Sequence, residues 1–258
     1  MFPMMLTDSP HSELGNPHSN GTLYIVATPI GNLEDISSRA VHVLSEVDLI
    51  AAEDTRTTKK LLDRFGIKAN LTSYHDYNER ERSVQLIAKL KQGLSIALVS
   101  DAGTPAISDP GYRIIHDAAQ ENIPIVPIPG PSAFLSALIV SGAPLDSFVF
   151  EGFLPHKKGR KTELDRLARE KRTIVLYESP HRLLRTLRDI EAYFGDRRIV
   201  IARELTKKFE EVLRGKVSDL ARKLSERSLR GEFVLIVYPA DLKLDRQQNL
   251  PTSSSPLQ

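Results

Sequence analysis

From about residue 21 to residue 240, short unbroken apolar runs alternate with stretches of helical period. In the first half, Leu23-Tyr24-Ile25-Val26-Ala27 reads as a strand. Residues 36–47 read as a helix with Val41, Leu44 and Val47 on one face. Leu49-Ile50-Ala51-Ala52 is a second strand, and 55–65 a helix ended by Gly66. A short strand at 71–74 precedes a helix over 79–92, with Val84, Ile87 and Leu90 inward and Gly93 as its stop. A strand at 95–99, a helix at 112–120 and a strand at 123–128 follow. Strands separated by helices predict a parallel sheet.

The second half changes character. Strands are predicted at 148–153, 174–177, 198–202, 209–214 and 233–237. Helices are predicted around Leu164 and Leu167, from Pro180 to Phe194, and over 217–224. This reads as an α+β domain with a mixed sheet. The join falls between Gly130 and Pro144, where Pro129-Gly130-Pro131-Ser132-Ala133 opens a short apolar helix. The expected organisation is an N-terminal α/β domain over 21–135 and a C-terminal domain over 136–240. Residues 1–20 and 241–258 are polar and rich in Pro or Ser, a composition that favours disorder.

Composition narrows the class. There are no cysteines among the 258 residues, which excludes disulfides, thiol catalysis and cysteine-bound metal. No apolar run approaches the ~18 residues of a membrane span, and residues 1–20 lack the pattern of a signal peptide. A reducing cytoplasm is the natural address. The net charge of +2 hides an asymmetry. Residues 21–143 hold 11 Lys+Arg against 14 Asp+Glu, whereas 144–240 hold 22 against 15. The densest basic run is His156-Lys157-Lys158-Gly159-Arg160-Lys161. A surplus spread over a whole domain points to an anionic partner, with nucleic acid the leading candidate.

The loop with most chemistry is Ser100-Asp101-Ala102-Gly103-Thr104-Pro105-Ala106-Ile107-Ser108-Asp109-Pro110-Gly111. It follows a predicted buried strand, where open α/β sheets bind ligands. Gly103 and Gly111 permit close backbone approach, while Pro105 and Pro110 stiffen the loop. Asp101 and Asp109 would repel an anion, so the loop suits hydroxyls, amines or positive charge. Its plainer reading is a βα turn with an Asp helix cap. There is no G-x-x-x-x-G-K-[ST], no G-x-G-x-x-G and no H-E-x-x-H. Gly130-Pro131-Ser132-Ala133-Phe134 lacks the second glycine of a nucleophile elbow. No metal motif is expected.

Six loops occur in order: Thr28-Pro29-Ile30-Gly31-Asn32-Leu33-Glu34-Asp35, Ala52-Glu53-Asp54-Thr55-Arg56, Ser100-Asp101-Ala102-Gly103-Thr104-Pro105, Ile128-Pro129-Gly130-Pro131-Ser132-Ala133, Tyr177-Glu178-Ser179-Pro180-His181-Arg182 and Gly231-Glu232-Phe233-Val234. Together they resemble the ribosomal RNA small subunit methyltransferase I family, a branch of the tetrapyrrole methylase superfamily, over residues 21–240. The resemblance implies a two-domain α/β fold with S-adenosyl-L-methionine in the cleft between domains, usually as a homodimer. It also implies methylation of a cytidine ribose 2′-hydroxyl in 16S rRNA near the decoding site, on free rRNA or the small ribosomal subunit.

Carried over by position, Pro29, Gly31, Asp101, Gly103, Thr104, Ser132 and Ala133 are expected to line the cofactor. Tyr177 and Phe233 either pack its adenine or belong to the core. Glu53, Asp54, His75, Glu178 and Glu204 are candidate bases. Asp54 is equally a helix N-cap, and His75 reads first as a structural hydrogen-bonding residue. Arg56 joins Glu53, Asp54 and His75 as a catalytic-loop candidate. Arg56, His181, Arg182 and Arg203 suit phosphate positioning, and Lys157, Lys158, Arg160 and Lys161 suit rRNA contacts. The remaining classes are a tetrapyrrole or other small-molecule methyltransferase of the same superfamily, and a non-enzymatic rRNA-binding assembly factor.

Overall fold

The computed structural model describes residues 21–240. The two tails expected to be disordered lie outside the described residues. Chain contacts divide the protein into two units. Among the described residues one comprises 21–137 with 202–211, the other 138–201 with 212–240. Residues 202–211, placed by sequence in the second domain, pack with the first.

The first unit runs β1 (Leu23–Val26), α1 (Ser38–Glu46), β2 (Leu49–Ala52), α2 (Thr55–Arg64), β3 (Leu71–Ser73), α3 (Glu79–Lys91), β4 (Ile96–Val99), α4 (Tyr112–Gln120) and β5 (Ile125–Ile128). Its strands are parallel in the order β3-β2-β4-β1-β5. Strand side chains alternate in direction, so each central strand feeds two cores. Ile50, Ala52, Ala97 and Val99 pack with Ala40, Val43, Leu44 and Leu62 of α1 and α2. Ala51, Ile96 and Leu98 pack with Leu86, Leu90, Ile114 and Ala118 of α3 and α4. Burial on both faces explains why these strands read as continuous apolar runs. Pro127 sits on an edge strand, where its missing N–H breaks no ladder bond.

One sequence expectation fails inside α3. Val84 is 67% exposed, and the helix turns Ser83, Leu86, Ile87 and Leu90 inward. The Ser83 hydroxyl lies 3.0 Å from the Tyr74 hydroxyl, which is itself buried. A polar interior contact therefore sets the helix phase, and hydrophobicity alone does not reveal it.

α5 (Ala133–Ser141) spans the division between the units. The second unit holds β6 (Phe148–Phe153), α6 (Arg160–Ala168), β7 (Thr173–Glu178), α7 (Leu183–Phe194), β8 (Arg198–Arg203), β9 (Glu211–Lys216), α8 (Val217–Ser225) and β10 (Phe233–Val237). The sheet order is β6-β7-β10-β8-β9. β6 runs parallel to β7 and β10 antiparallel to it, the mixed sheet predicted. Leu164, Leu167, Leu187, Ile190, Leu220 and Leu224 from the three helices cover Ile174, Leu176, Ile199, Ile201 and Leu235. Among the described residues no helix is long and apolar enough to cross a membrane.

The start of α4 is capped from outside its own chain segment. Glu79 Oε1 accepts hydrogen bonds from the amides of Gly111 and Arg113, both at 3.2 Å, and from the Tyr74 hydroxyl at 2.9 Å. The Tyr74 oxygen in turn accepts from the Ile114 amide at 3.2 Å. Three of the orphan amides of a helix start are thus satisfied by α3 and the end of β3. Glu79→Ala should cost about 1–3 kcal/mol, because it strips partners from groups that stay largely shielded. Glu79→Gln, which keeps the Oε1 acceptor, should cost less. Chemical denaturation at matched m-values checks this, and equal stabilities for both variants and wild type would contradict it.

Candidate active site at the carboxyl ends of the first sheet

Strand order makes the site. The chain leaves β1 toward β2 and leaves β4 toward β5, in opposite directions across the sheet. Right-handed crossovers then put α1 and α4 on opposite faces, and the two loops diverge where β1 and β4 lie side by side. This is the switch point at which open parallel sheets bind ligands.

The loops after β1 and β4 meet there in an isolated bridge. The Thr28 amide donates to Gly103 O at 2.8 Å, and the Gly103 amide donates to Thr28 O at 2.9 Å. The Thr28 hydroxyl donates to Ser100 O at 3.1 Å. The Thr104 hydroxyl donates to Pro131 O at 3.3 Å, which ties in the loop after β5. Pro29, Gly31, Gly103, Thr104, Ser132 and Ala133 therefore belong to one set of connected loops. Pro29 is buried and Gly31 is exposed. A Cβ built on Gly31 would lie 2.4 Å from Lys207 Cγ and 2.8 Å from Thr206 Oγ1.

Carboxylates gather on the β2 side. The Asp101 amide donates to Glu53 Oε2, and the Asp54 amide donates to Asp101 Oδ1, both at 3.1 Å. Burial pushes the Glu53 carboxyl above its ordinary value, and the charges of Asp101, Asp76 and Asp54 add to the rise. Partial desolvation also raises Asp101. Asp109 is raised to about 7, first by burial and then by the charge of Glu53, with Asp101 and Asp76 contributing.

Asp54 behaves differently. Its Oδ1 accepts from the Arg56 amide at 2.8 Å as the N-cap of α2, and its Oδ2 pairs with the Arg56 guanidinium at 2.6 Å. Those Arg56 hydrogen bonds lower its pKa to about 2, which makes it a weak proton acceptor at neutral pH. Arg56 itself is exposed beyond that pair. His75 follows β3. The Asn78 side chain accepts from the His75 amide at 2.9 Å and presents its nitrogen to His75 Nε2 at 3.2 Å. The His75 Nδ1 is buried and makes no hydrogen bond. His75 supports the turn before α3, its structural reading.

In the second unit the Tyr177–Arg182 loop is built on buried charge. Glu178 is 2% exposed and accepts from the Thr186 hydroxyl and the Ser179 amide. The Arg182 guanidinium lies 3.3 Å from Glu178 and also donates to Leu154 O and toward His156. Two RNA-contact expectations need correction. Arg160 is 4% exposed; it donates to Asp189 and Thr186, both at 2.8 Å, and to Pro155 O. A guanidinium buried among those partners is withdrawn from the surface where a phosphate would bind. Arg182, 14% exposed, turns its guanidinium to Glu178, Leu154 O and His156. Lys157, Lys158, Lys161 and His181 are exposed. Phe233 is also corrected: at 2% exposure it belongs to the second unit's core and presents no face to an adenine. Tyr177 is half-buried, its ring edge-on to Phe150 at 5.1 Å.

The family described as Tetrapyrrole (Corrin/Porphyrin) Methylases matches residues 22–221. The chain belongs to the tetrapyrrole methylase family. Within that family, two relatives about half identical to the chain carry the same name. A Ribosomal RNA small subunit methyltransferase I from Halalkalibacterium halodurans is 50% identical over 92% of this chain and 83% of its own length. One of the same name from Thermotoga maritima is 49% identical over 84% of this chain and 98% of its own length. Among solved tetrapyrrole methylases, a uroporphyrin-III C-methyltransferase from Thermus thermophilus complexed with S-adenosylhomocysteine matches at a TM-score of 0.61. It covers 84% of this chain and 97% of that one at 16% identity, so it speaks for the fold.

Sequence reading missed two features: the Asp109 carboxylate as the most perturbed of the acidic group, and the approach of Thr206 and Lys207 to Gly31. The adjacent Gly and Pro residues marked the first loop. Nothing in the local pattern marked the second, because the contact joins positions far apart in the chain. Asp109 generates a pH prediction. Its folded pKa lies above the unfolded value, so the native state binds the proton more tightly, and stability falls as pH rises from about 4 to about 7. Asp109→Asn removes a charge that is costly only at higher pH. The variant should gain stability relative to wild type at pH 8 and be close to it only below about pH 4, read by thermal unfolding. A pH-independent difference would contradict the assignment.

Proposed function

We propose that the protein is an S-adenosylmethionine-dependent methyltransferase of small-subunit ribosomal RNA, acting on the ribose 2′-hydroxyl of a cytidine in 16S rRNA near the decoding site. The observation that carries this reading is the bridged pair of loops after β1 and β4, beside exposed Asp101. It occurs in a chain about half identical to proteins named for rRNA methylation. Solved structures named for uroporphyrin chemistry share 16–20% identity and support only the fold.

The residues fit the cofactor. Asp101 offers a carboxylate to a sulfonium or ammonium. Thr104 offers a hydroxyl, and Gly103, Ser132 and Ala133 leave room for a close approach; Pro29 and Gly31 line the β1 side. When bound, S-adenosylmethionine supplies an electrophilic methyl group carried on positive sulfur. No group of His, Cys, Asp or Glu suited to a metal occurs among the described residues, and the proposal needs none. The bridged loops hold the reacting partners in line, an effect worth on the order of 7–11 kcal/mol in favourable cases. A ribose hydroxyl is a poor nucleophile, so Glu53 serves as the proton acceptor. Its raised pKa brings its basicity closer to neutral pH than that of Asp54.

Lys157, Lys158, Lys161 and His181 form the exposed part of the proposed rRNA surface. Leu135, Ile139 and Val140 of α5 expose apolar side chains that suit a second copy of the chain in a homodimer. An rRNA substrate is consistent with a cytoplasmic address.

Purified protein should transfer labelled methyl to small subunits from a strain lacking its gene, with the label on a cytidine ribose; absence of transfer removes the reading. Binding of S-adenosylmethionine in EDTA should persist, and Asp101→Ala should weaken it by about 1–3 kcal/mol. Glu53→Gln should lower the single-turnover rate by roughly 100-fold with both ligands still bound. An unchanged rate would return Glu53 to its role as the Asp101 loop anchor. Neutralising Lys157, Lys158 and Lys161 together should reduce the salt slope of subunit binding by about 0.7–0.9 per lost contact. An unchanged slope would make this loop a solvated surface.

A further inference from the structure

The turn between β3 and α3 carries an aromatic side chain that the fold does not need. Tyr77 is 99% exposed. Its place is fixed all the same. The Tyr74 amide donates to Ala52 O at 2.8 Å, which sets the residues after β3 beside the Glu53 end of β2. The amides of Asn78 and Glu79 both donate to His75 O at 2.9 Å, and the Asn78 side chain closes the turn on the His75 amide. Turn tips favour Gly, Pro, Asn, Asp and Ser on backbone grounds. A tyrosine held in solvent on a well-bonded turn has no explanation in folding.

Tyr77 has a counterpart on the neighbouring helix. Tyr112, the first residue of α4, is 74% exposed, and its ring stacks on His116 at 5.8 Å with 22° between the planes. Glu79 ties the two helix starts together through its bonds to the Gly111 and Arg113 amides. Tyr77 and Tyr112 therefore belong to one rim of the first unit. Arg80, in the first turn of α3, is exposed and makes no ion pair or hydrogen bond with any described residue. The nearby Arg82 and Arg113 are engaged, by Gln85 and Asp117. Exposed apolar side chains scattered singly are ordinary. Two rings beside a free guanidinium are the combination that holds single-stranded nucleic acid, because every base has a π-face to stack and the backbone needs a cation.

We infer that Tyr77 and Tyr112 are stacking platforms for unpaired RNA bases flanking the target nucleotide, with Arg80 against the backbone of the same strand. The inference rests on the proposed rRNA methyltransferase reading and adds to it how the substrate is gripped. Stacking is the recognition that this end of the sheet allows. Asp76 adjoins Tyr77 in sequence, and its charge reaches Glu53 and Asp109. Such an acidic group repels phosphates, whereas a base ring is neutral. A strand held by its bases lies beside these acids with its phosphates turned away. Stacking reads no sequence, so the rim sets the register of an unpaired strand and leaves the choice of nucleotide to other contacts.

The test measures equilibrium binding of wild type, Tyr77→Ala, Tyr77→Phe, Tyr112→Ala, Tyr112→Phe and Arg80→Gln to unmethylated small subunits over a range of salt. Cofactor affinity, thermal unfolding and sedimentation are measured in parallel. Each alanine variant should weaken subunit binding about tenfold at an unchanged salt slope, since a lost stack alters no phosphate contact. Each phenylalanine variant keeps the ring and should stay within about twofold of wild type. Arg80→Gln should flatten the slope by about 0.7, the value of one contact on a single strand. Cofactor affinity and self-association should not change. A folded alanine variant at either tyrosine that binds subunits as wild type does overturns the inference. So does a phenylalanine variant as weak as its alanine counterpart, or an unchanged slope in Arg80→Gln. A loss that tracks reduced self-association also overturns it, making the rim a contact between copies of the chain. In all these cases the rRNA reading stands. A wild type that neither binds nor methylates small subunits overturns both.

Discussion

Two amide hydrogen bonds between Thr28 and Gly103 hold the functional end of the first sheet together. The strand order sends the loops after β1 and β4 to opposite faces, and the bridge, helped by the Thr28 hydroxyl bond to Ser100 O, ties them together. With it, the Asp101 loop takes its position from β1. The Thr104 bond to Pro131 then fixes the loop after β5, and the Glu53 and Asp54 bonds to Asp101 fix the loop after β2. The far end of the Asp101 loop is held independently by Glu79 at the start of α4. A loop clamped at both ends tolerates the left-handed Ala106 and Ser108.

The arrangement concentrates like charge. Beyond burial, the charges of Asp101, Asp76 and Asp54 raise the proton affinity of Glu53, that of Asp54 raises Asp101, and those of Glu53, Asp101 and Asp76 raise Asp109. That costs stability at neutral pH, a pattern common where function sets the electrostatics. In the second unit opposite charges are matched instead. Arg160 with Asp189, and Arg182 with Glu178, brace the loop that carries the exposed Lys157 and Lys158. Removing one partner of a buried pair is far more costly than having neither, so these arginines support the basic surface without forming its contacts.

The alternation of apolar runs and helical stretches made the parallel sheet legible, because strands buried on both faces have an unmistakable pattern. The six loops were legible as a set, since their Gly, Pro and Asp residues sit at strand ends. Three kinds of information were not. The phase of α3 depends on the buried Ser83–Tyr74 contact, so Val84 looked internal. The burial of Arg160 depends on partners 26 and 29 residues away, so it looked like one more member of a basic run. The approach of Lys207 to Gly31 joins positions on either side of the unit division in sequence, and each alone reads as ordinary. Local pattern reports the strand ends; the pairing of distant polar groups decides which side chains face solvent.

Hydrogen exchange with and without S-adenosylmethionine tests most directly whether the bridged loops form the ligand site. Added cofactor should slow exchange at residues 28–32 and 100–105, in the first unit, and leave the 156–161 loop unchanged. Protection absent from the Thr28 and Gly103 amide regions, with slowing confined to the second unit or seen nowhere, would contradict a site built on that bridge.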